Sequence, residues 1–207
     1  MAMTEAFAQQ NLNVYAMPSA TVKYALNKTV GQSFTVEDRT FLYRNSDYEW
    51  QLKHIELSHF TKLEVKKNRW LALGLSYRFE GETKHEREFR LMQQFEWRKD
   101  DNAVFKHRIR TEQRIYPSAT RLRLRYQTKY SQKTDFIFDK VSVINEVMVE
   151  KHPQKKPEYE ERLALYGEWE FNKHISLEVG TQYRLSNFTH RSRTHNIFLC
   201  TGLNVVL

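Results

Sequence analysis

This sequence predicts an all-β fold: an antiparallel up-and-down transmembrane β-barrel of about ten to twelve strands, with a polar, charged lumen and an apolar, lipid-facing exterior. Three observations predict it. Apolar residues recur at every second position almost from end to end, which is the period of a strand and not of a helix. The alternating runs are mostly about a dozen residues or longer, against ~5–6 in ordinary soluble strands. The face opposite the apolar one is crowded with arginine, lysine and glutamate, which belongs against water or counter-charge and not against acyl chains.

In the first run Leu12, Val14, Ala16, Pro18, Ala20, Val22, Tyr24 and Leu26 share a face. Further along, Leu71, Leu73, Leu75, Tyr77 and Phe79 oppose Ala72, Gly74, Ser76, Arg78 and Glu80. Phe89, Leu91, Phe95 and Trp97 oppose Glu88, Arg90, Glu96 and Arg98, and Phe105, Ile109 and Ile115 oppose Lys106, Arg108, Arg110, Glu112 and Arg114. RLRLRYQTKY places Arg121, Arg123, Arg125, Gln127 and Lys129 on one face and Leu122, Leu124, Tyr126, Thr128 and Tyr130 on the other. Val141, Val143, Val147 and Val149 oppose Lys140, Ser142, Glu146 and Glu150. Leu163, Leu165, Trp169 and Phe171 oppose Arg162, Glu168 and Glu170, and Ile175, Leu177, Val179, Tyr183 and Leu185 oppose Ser176, Glu178, Gln182 and Arg184. The last run puts Ile197, Leu199, Leu203, Val205 and Leu207 on one face.

Short polar segments punctuate the runs: NKT at Asn27, NSDYE at Asn45, KKN at Lys66, GETK at Gly81, KDDN at Lys99, YPSA at Tyr116, QKTD at Gln132 and NKH at Asn172. The longest connections are HPQKKPEY from His152 and SNFTHRSR from Ser186. The whole reads as consecutive hairpins, with about eleven runs. Bacterial single-chain barrels have an even number of strands, so ten or twelve is the expected count. Residues 1–11 read as an N-terminal arm, in which Ala6-Phe7-Ala8 resembles the end of a secretory signal peptide. Residues 12–207 read as one barrel.

The chain has 207 residues, six glycines, four prolines, 14% aromatic and 28% charged residues, a composition that excludes collagen and disorder. The single cysteine, Cys200, excludes an internal disulfide. No run approaches the ~18 apolar residues of a membrane-spanning helix, whereas a transmembrane strand needs only ~9–11 alternating ones. Eleven long strands enclose a lumen too wide for leucine and valine to fill. An apolar face turned outward to lipid and a charged face turned inward satisfy both sides. The net charge of +8 invites anionic partners. Nucleic acid is not among those expected, because the aromatics lie with the aliphatics and not beside the arginines, where a base-stacking platform would need them.

The segment FKHRIRTEQRIYPSATRLRLRYQTKY followed by INEVMVE resembles the family called domain of unknown function 2490. Its motif is an HRxRxEQR strand, a short turn, an RxRYxxxY strand and an NE pair. These are carried here by His107, Arg108, Arg110, Glu112, Gln113 and Arg114, then Arg123, Arg125 and Tyr126, then Asn145 and Glu146. The motif covers about a quarter of the chain. The resemblance implies a small outer-membrane β-barrel of a Gram-negative bacterium; the family carries no established activity, so it implies nothing about mechanism.

Two readings of the lumen follow. Glu37 with Arg39, Glu88 with Arg90, Arg110 with Glu112 and Arg114, and Arg162 with Glu168 are placed to interlock as ion pairs that fill the bore. In that reading Glu88, Glu96, Glu112, Glu146 and Glu168 are the acidic partners, and the protein is a non-enzymatic structural or accessory subunit. Alternatively Arg108, Arg110, Arg114, Arg121, Arg123, Arg125 and Lys129 form a cationic strip offset only by Glu112, suited to passing small acidic solutes. An outer-membrane lipid hydrolase is a third reading, resting on His174-x-Ser176 and His190-x-Ser192. No catalytic residue, cofactor or metal is assigned; the eight histidines lack the spacing of a closed metal site. Expected partners are outer-membrane lipid, a small anionic solute, or a protein of a larger outer-membrane complex. The polar residues Gln93, His107, Gln113 and Asn145 on the apolar face suggest contact with such a protein, or a slip in the assigned phase.

Overall fold

Eleven strands occur in the computed structural model, which describes residues 11–44, 46–81, 87–187 and 193–207. They are β1 (Asn11–Ala25), β2 (Val30–Arg44), β3 (Asp47–Lys66), β4 (Arg69–Glu80), β5 (Glu88–Arg98), β6 (Phe105–Ile115), β7 (Thr120–Lys133), β8 (Lys140–Lys151), β9 (Glu158–Glu170), β10 (Ile175–Ser186) and β11 (Thr194–Val206). Each pairs antiparallel with its neighbours in sequence, and β1 pairs with β11 to close the barrel. Most of the N-terminal arm, part of GETK, Asn45, and His190 and Ser192 lie outside the described residues.

Eleven strands match the number of alternating runs and lie within the ten to twelve expected; the even number expected of a bacterial barrel is not found. Every hairpin reverses the chain, so an odd number leaves first and last strands pointing the same way. The closure is accordingly a parallel ladder, running in register from Asn11↔Thr194 to Lys23↔Val206. Parallel pairs hydrogen-bond at even spacing and are only slightly weaker per residue than antiparallel ones.

Two connections are built alike. Asn27 Oδ1 accepts the backbone N–H groups of Thr29 and Val30, both at 2.9 Å. Asn172 Oδ1 accepts those of His174 (2.8 Å) and Ile175 (2.9 Å). These Asx turns supply the reversal at one rim, the rim that carries Val206. In the β3–β4 turn Asn68 adopts φ 63°, a left-handed conformation that asparagine tolerates well.

The faces fall as the alternation in β4–β10 requires. Leu73, Leu122, Leu163 and Leu165 project outward and are more than half exposed, while Glu88 and Glu112 are buried in the interior. Gln93, Gln113, His107 and Asn145 do face outward, so there is no phase slip. Each is bonded across the wall: Gln93 with Gln113 (3.1 Å), His107 with the Tyr126 hydroxyl (3.0 Å) and Asn145 with Glu161 (3.1 Å).

β1, β2 and β11 depart from the simple pattern. Their inward faces carry Tyr15, Met17, Phe41, Phe198 and Cys200, a buried apolar cluster inside the barrel. Register shifts fall between Val14 and Tyr15 in β1, and between Arg39 and Thr40 and between Phe41 and Tyr43 in β2. Opposite the first of the β2 shifts, Lys53 of β3 is the residue left unpaired, between His54 and Leu52. An extra residue of this kind re-aims the side chains around it.

Candidate functional site: the charged lumen

The interior of β3–β9 is a lattice in which carboxylates and guanidiniums alternate. Its first node is Glu88, whose side chain is fully buried. It accepts from Arg78 Nη1 (2.9 Å), from Arg90 Nε (2.5 Å) and from Arg114 Nη2 (2.9 Å). Arg78 and Arg90 also reach Glu56, at 2.8 and 2.9 Å. Arg114 continues to Glu150, which holds Arg123 (2.5 Å) and Arg121 (3.4 Å) as well. Arg125 ties Glu112 (2.7 Å) to Glu146 (2.6 Å). Glu146 in turn takes Arg108 (2.8 Å) and Arg162 (3.3 Å), and Arg162 ends the chain on Glu160 (2.5 Å). Seven adjacent strands are stitched together this way.

Register explains the partners. Arg78 lies directly opposite Glu88, and Arg123 lies between Glu112 and Glu150. Other partners sit on the diagonal, within reach because arginine is long and neighbouring strands stand about 5 Å apart. Each buried carboxylate therefore meets two or three donors, which a desolvated charge requires.

The seven cations expected to form a strip divide as follows. Arg108, Arg110, Arg114, Arg121, Arg123 and Arg125 converge on the interior of β6 and β7. They are not offset by Glu112 alone, as the sequence suggested, because Glu88, Glu146 and Glu150 reach in from β5 and β8. Arg110 is the least neutralised. Its Nε and Nη2 both bond Gln94 Oε1 (2.8 and 2.5 Å), and its nearest carboxylate, Glu112, is 3.8 Å away. Lys129 stands apart near the rim that carries Val206, with Glu178, Lys140, Glu168 and Lys23 as its electrostatic neighbours.

Of the expected acidic partners, Glu96 binds Lys62 and Lys106, the latter at 2.6 Å. Glu168 binds Lys140 and the Ser176 hydroxyl (2.7 Å). Arg162 is thus paired with Glu160 and Glu146 and not with Glu168, a correction to the sequence pairing. Glu37–Arg39 forms at 2.6 Å.

A cavity of about 440 Å³ lies within the lattice. Its described lining carries ten lysine and arginine side chains against three glutamates, Glu37, Glu56 and Glu160. The alternation places Arg184 on the polar face of β10 without marking it as a site residue, because its nearest neighbours on that face, Gln182 and Ser186, are uncharged. Lys53 is not placed at all, since a bulge hides its inward turn. The cavity's other wall is aromatic: Tyr15 stacks on Phe198, centroids 4.6 Å apart.

The His174 and Ser176 side chains have separate partners. His174 Nδ1 donates to the Val206 carbonyl at 2.8 Å, while Ser176 donates to Glu168. Among the described residues no three His, Cys, Asp or Glu side chains are grouped to hold a metal ion.

The family model described as Protein of unknown function (DUF2490) matches residues 18–195. The chain belongs to this family. The match takes in the HRxRxEQR and RxRY strands, so the family's motif residues Arg108, Arg110, Glu112, Arg114, Arg123, Arg125 and Glu146 are members of the lumen lattice. No curated protein and no solved structure matches the chain.

Proposed function

We propose that this member of the DUF2490 family is an integral outer-membrane β-barrel of a Gram-negative bacterium. Its role is non-enzymatic: a structural or accessory subunit of a larger outer-membrane assembly, its bore filled by ion pairs. The observation that carries the reading is the direction of the two faces. Leucines and valines point away from the barrel axis while the guanidinium and carboxylate groups are buried around it. In water this arrangement exposes the apolar wall and desolvates the charges; in a bilayer both faces are matched.

Aromatic residues support the same reading. Trp97, Phe105, Tyr130 and Trp169 lie on the outer wall toward one rim, and Tyr77, Phe79, Tyr159 and Tyr183 toward the other. Paired aromatic girdles are where a membrane barrel meets the two interfaces. The outward polar residues are bonded to one another, which lowers the cost of placing them against lipid.

A chain retaining Trp97 as its sole tryptophan, reconstituted with brominated lipids, is expected to show strong quenching. Monodisperse behaviour in detergent-free buffer with Trp97 unquenched would overturn the membrane reading. A second reading, a narrow anion-selective channel, is favoured by the excess of cations around the cavity. Planar-bilayer recordings separate the two: structural filling gives no steps, whereas anion-selective steps favour the channel.

A further inference from the structure

Three cations in the lumen stand outside the ionic lattice or at its margin. Lys53 Nζ donates to the Tyr15 hydroxyl at 3.3 Å. Arg184 donates to Gln182 Oε1 at 2.5 Å and to the Met17 sulfur at 3.5 Å. Among the described residues neither has a carboxylate oxygen within the 4.0 Å of an ion pair. Arg39 pairs with Glu37 at 2.6 Å and reaches the Met17 sulfur at 3.6 Å, and among the described residues its buried Nε has no partner.

What holds these cations is aromatic. Lys53 lies 4.8 Å from the Tyr15 ring centroid and 5.2 Å from that of Phe41. Arg184 and Arg39 lie 3.8 and 5.1 Å from that of Phe198. Since Tyr15 packs on both rings, the three charges share one cluster and face one cavity. A ring quadrupole attracts a cation without neutralising it. Arg39 is paired with Glu37, so among the described residues of the cluster the charges left without an ion pair are those of Lys53 and Arg184, beside about 440 Å³ of space. Small-molecule sites occupy ~300–1,000 Å³.

We propose that the lumen contains a binding site for a small solute bearing two or more phosphate-type negative charges, with Lys53, Arg184 and Arg39 as its main ligands. The planar guanidinium offers a two-pronged donor set to phosphate oxygens and lysine a point charge. With Arg39 paired to Glu37 the cluster carries two net positive charges, so one negative charge leaves it underneutralised and two balance it. The acids nearest the site, Glu37 and Glu160, are already engaged by Arg39 and Arg162. The inference concerns the folded lumen alone and stands apart from the role proposed for the barrel.

Inorganic pyrophosphate is the probe, titrated calorimetrically into the barrel refolded in a zwitterionic detergent at low ionic strength. Expected are one saturable site per chain, at least tenfold weaker binding for Lys53→Met and for Arg184→Met, and no detectable binding for the double variant. Neither substitution strands a carboxylate, so the variants keep the parent's folded mobility on unheated gels, and that measurement verifies each sample. Lys28→Gln, in an exposed turn at the far rim, keeps the parent's affinity. No saturable heat with folded parent protein overturns the proposal, as does parental affinity in the double variant or an equal loss in Lys28→Gln. Failure of these titrations leaves lipid quenching at Trp97 untouched, so the two readings fail separately.

Discussion

Arg125 is the residue on which the lumen lattice turns, because among the described residues it alone bridges Glu112 and Glu146. Removing one partner of a buried pair costs more than the pair contributes net, since the abandoned charge stays desolvated. Arg125→Gln leaves Glu112 with only Arg123 at 3.7 Å and Arg110 at 3.8 Å. We expect a loss of about 3–5 kcal/mol in denaturant unfolding. Arg125→Lys should recover only part of this, because a lysine cannot span both carboxylates with separate prongs. The exposed pair Lys67–Asp101, 2.7 Å apart in two turns at one rim, behaves differently. The hydrogen bond from Lys67 holds the Asp101 carboxyl below the ordinary aspartate range, and its reciprocal raises Lys67. Asp101 thus favours the docked turns above its unfolded-state value and loses that contribution as pH falls through the folded one. Lys67 contributes below its unfolded-state value and loses the contribution as pH rises through its folded one. A carbon-detected titration of Asp101 should move upward in Lys67→Gln; an unchanged titration would show that the pair does not form in solution.

Strand by strand, the apolar wall was the most legible part of the sequence. In β4 and β6–β9 one face is largely apolar and the other carries small or charged side chains, so the period alone assigns inside and outside. In β1 the two faces are Leu12, Val14, Ala16 against Asn13, Tyr15, Met17; both are largely apolar, and alternation cannot tell which one faces the lumen. The bulges at Leu42 in β2 and Lys53 in β3 then shift the phase without any marker in composition, which is why Lys53 and the aromatic cluster went unnoticed. The lattice partners were legible only in part. Glu88–Arg90 and Glu37–Arg39 lie two residues apart on one strand, but Arg114–Glu150 depends on how far neighbouring strands are staggered. Stagger is a property of the closed barrel, not of any single strand. Leu73, 67% exposed on the outer wall, tests the environment of that wall. In a bilayer, Leu73→Arg should cost about 2–4 kcal/mol near the midplane. Equal urea midpoints for parent and variant in lipid vesicles would place this position outside the hydrocarbon.

For the molecule as a whole, everything depends on the seam where β1 meets β11, since an open edge would leave unpaired backbone groups, which the bilayer proposed above could not satisfy. The seam is a parallel ladder reinforced by side chains: Asn13 donates to Asn196 at 3.0 Å, Lys23 to Asn204 at 3.1 Å, and Tyr15 lies flat on Phe198. Contacts of this sort explain how an odd strand number remains compatible with closure. The register offers a direct check through the chain's single cysteine. Cys200 faces Met17 across the seam, and both side chains are buried on the inner side. Met17→Cys would put two thiols on facing residues of adjacent strands, where the Cα separation falls inside the ~4.4–6.8 Å that a disulfide spans. Mild oxidation of folded Met17→Cys protein should give an intramolecular crosslink, visible as a shift in gel mobility reversed by reductant. The Met17→Cys/Cys200→Ser protein should show no shift. Because the bond joins the first strand to the last, it should also raise the temperature at which the barrel unfolds. An antiparallel seam, or a parallel one slipped by a single residue, turns the two thiols apart and leaves them both titratable. That result would mean the eleven strands close in another order, and the lumen built on their register would have to be redrawn.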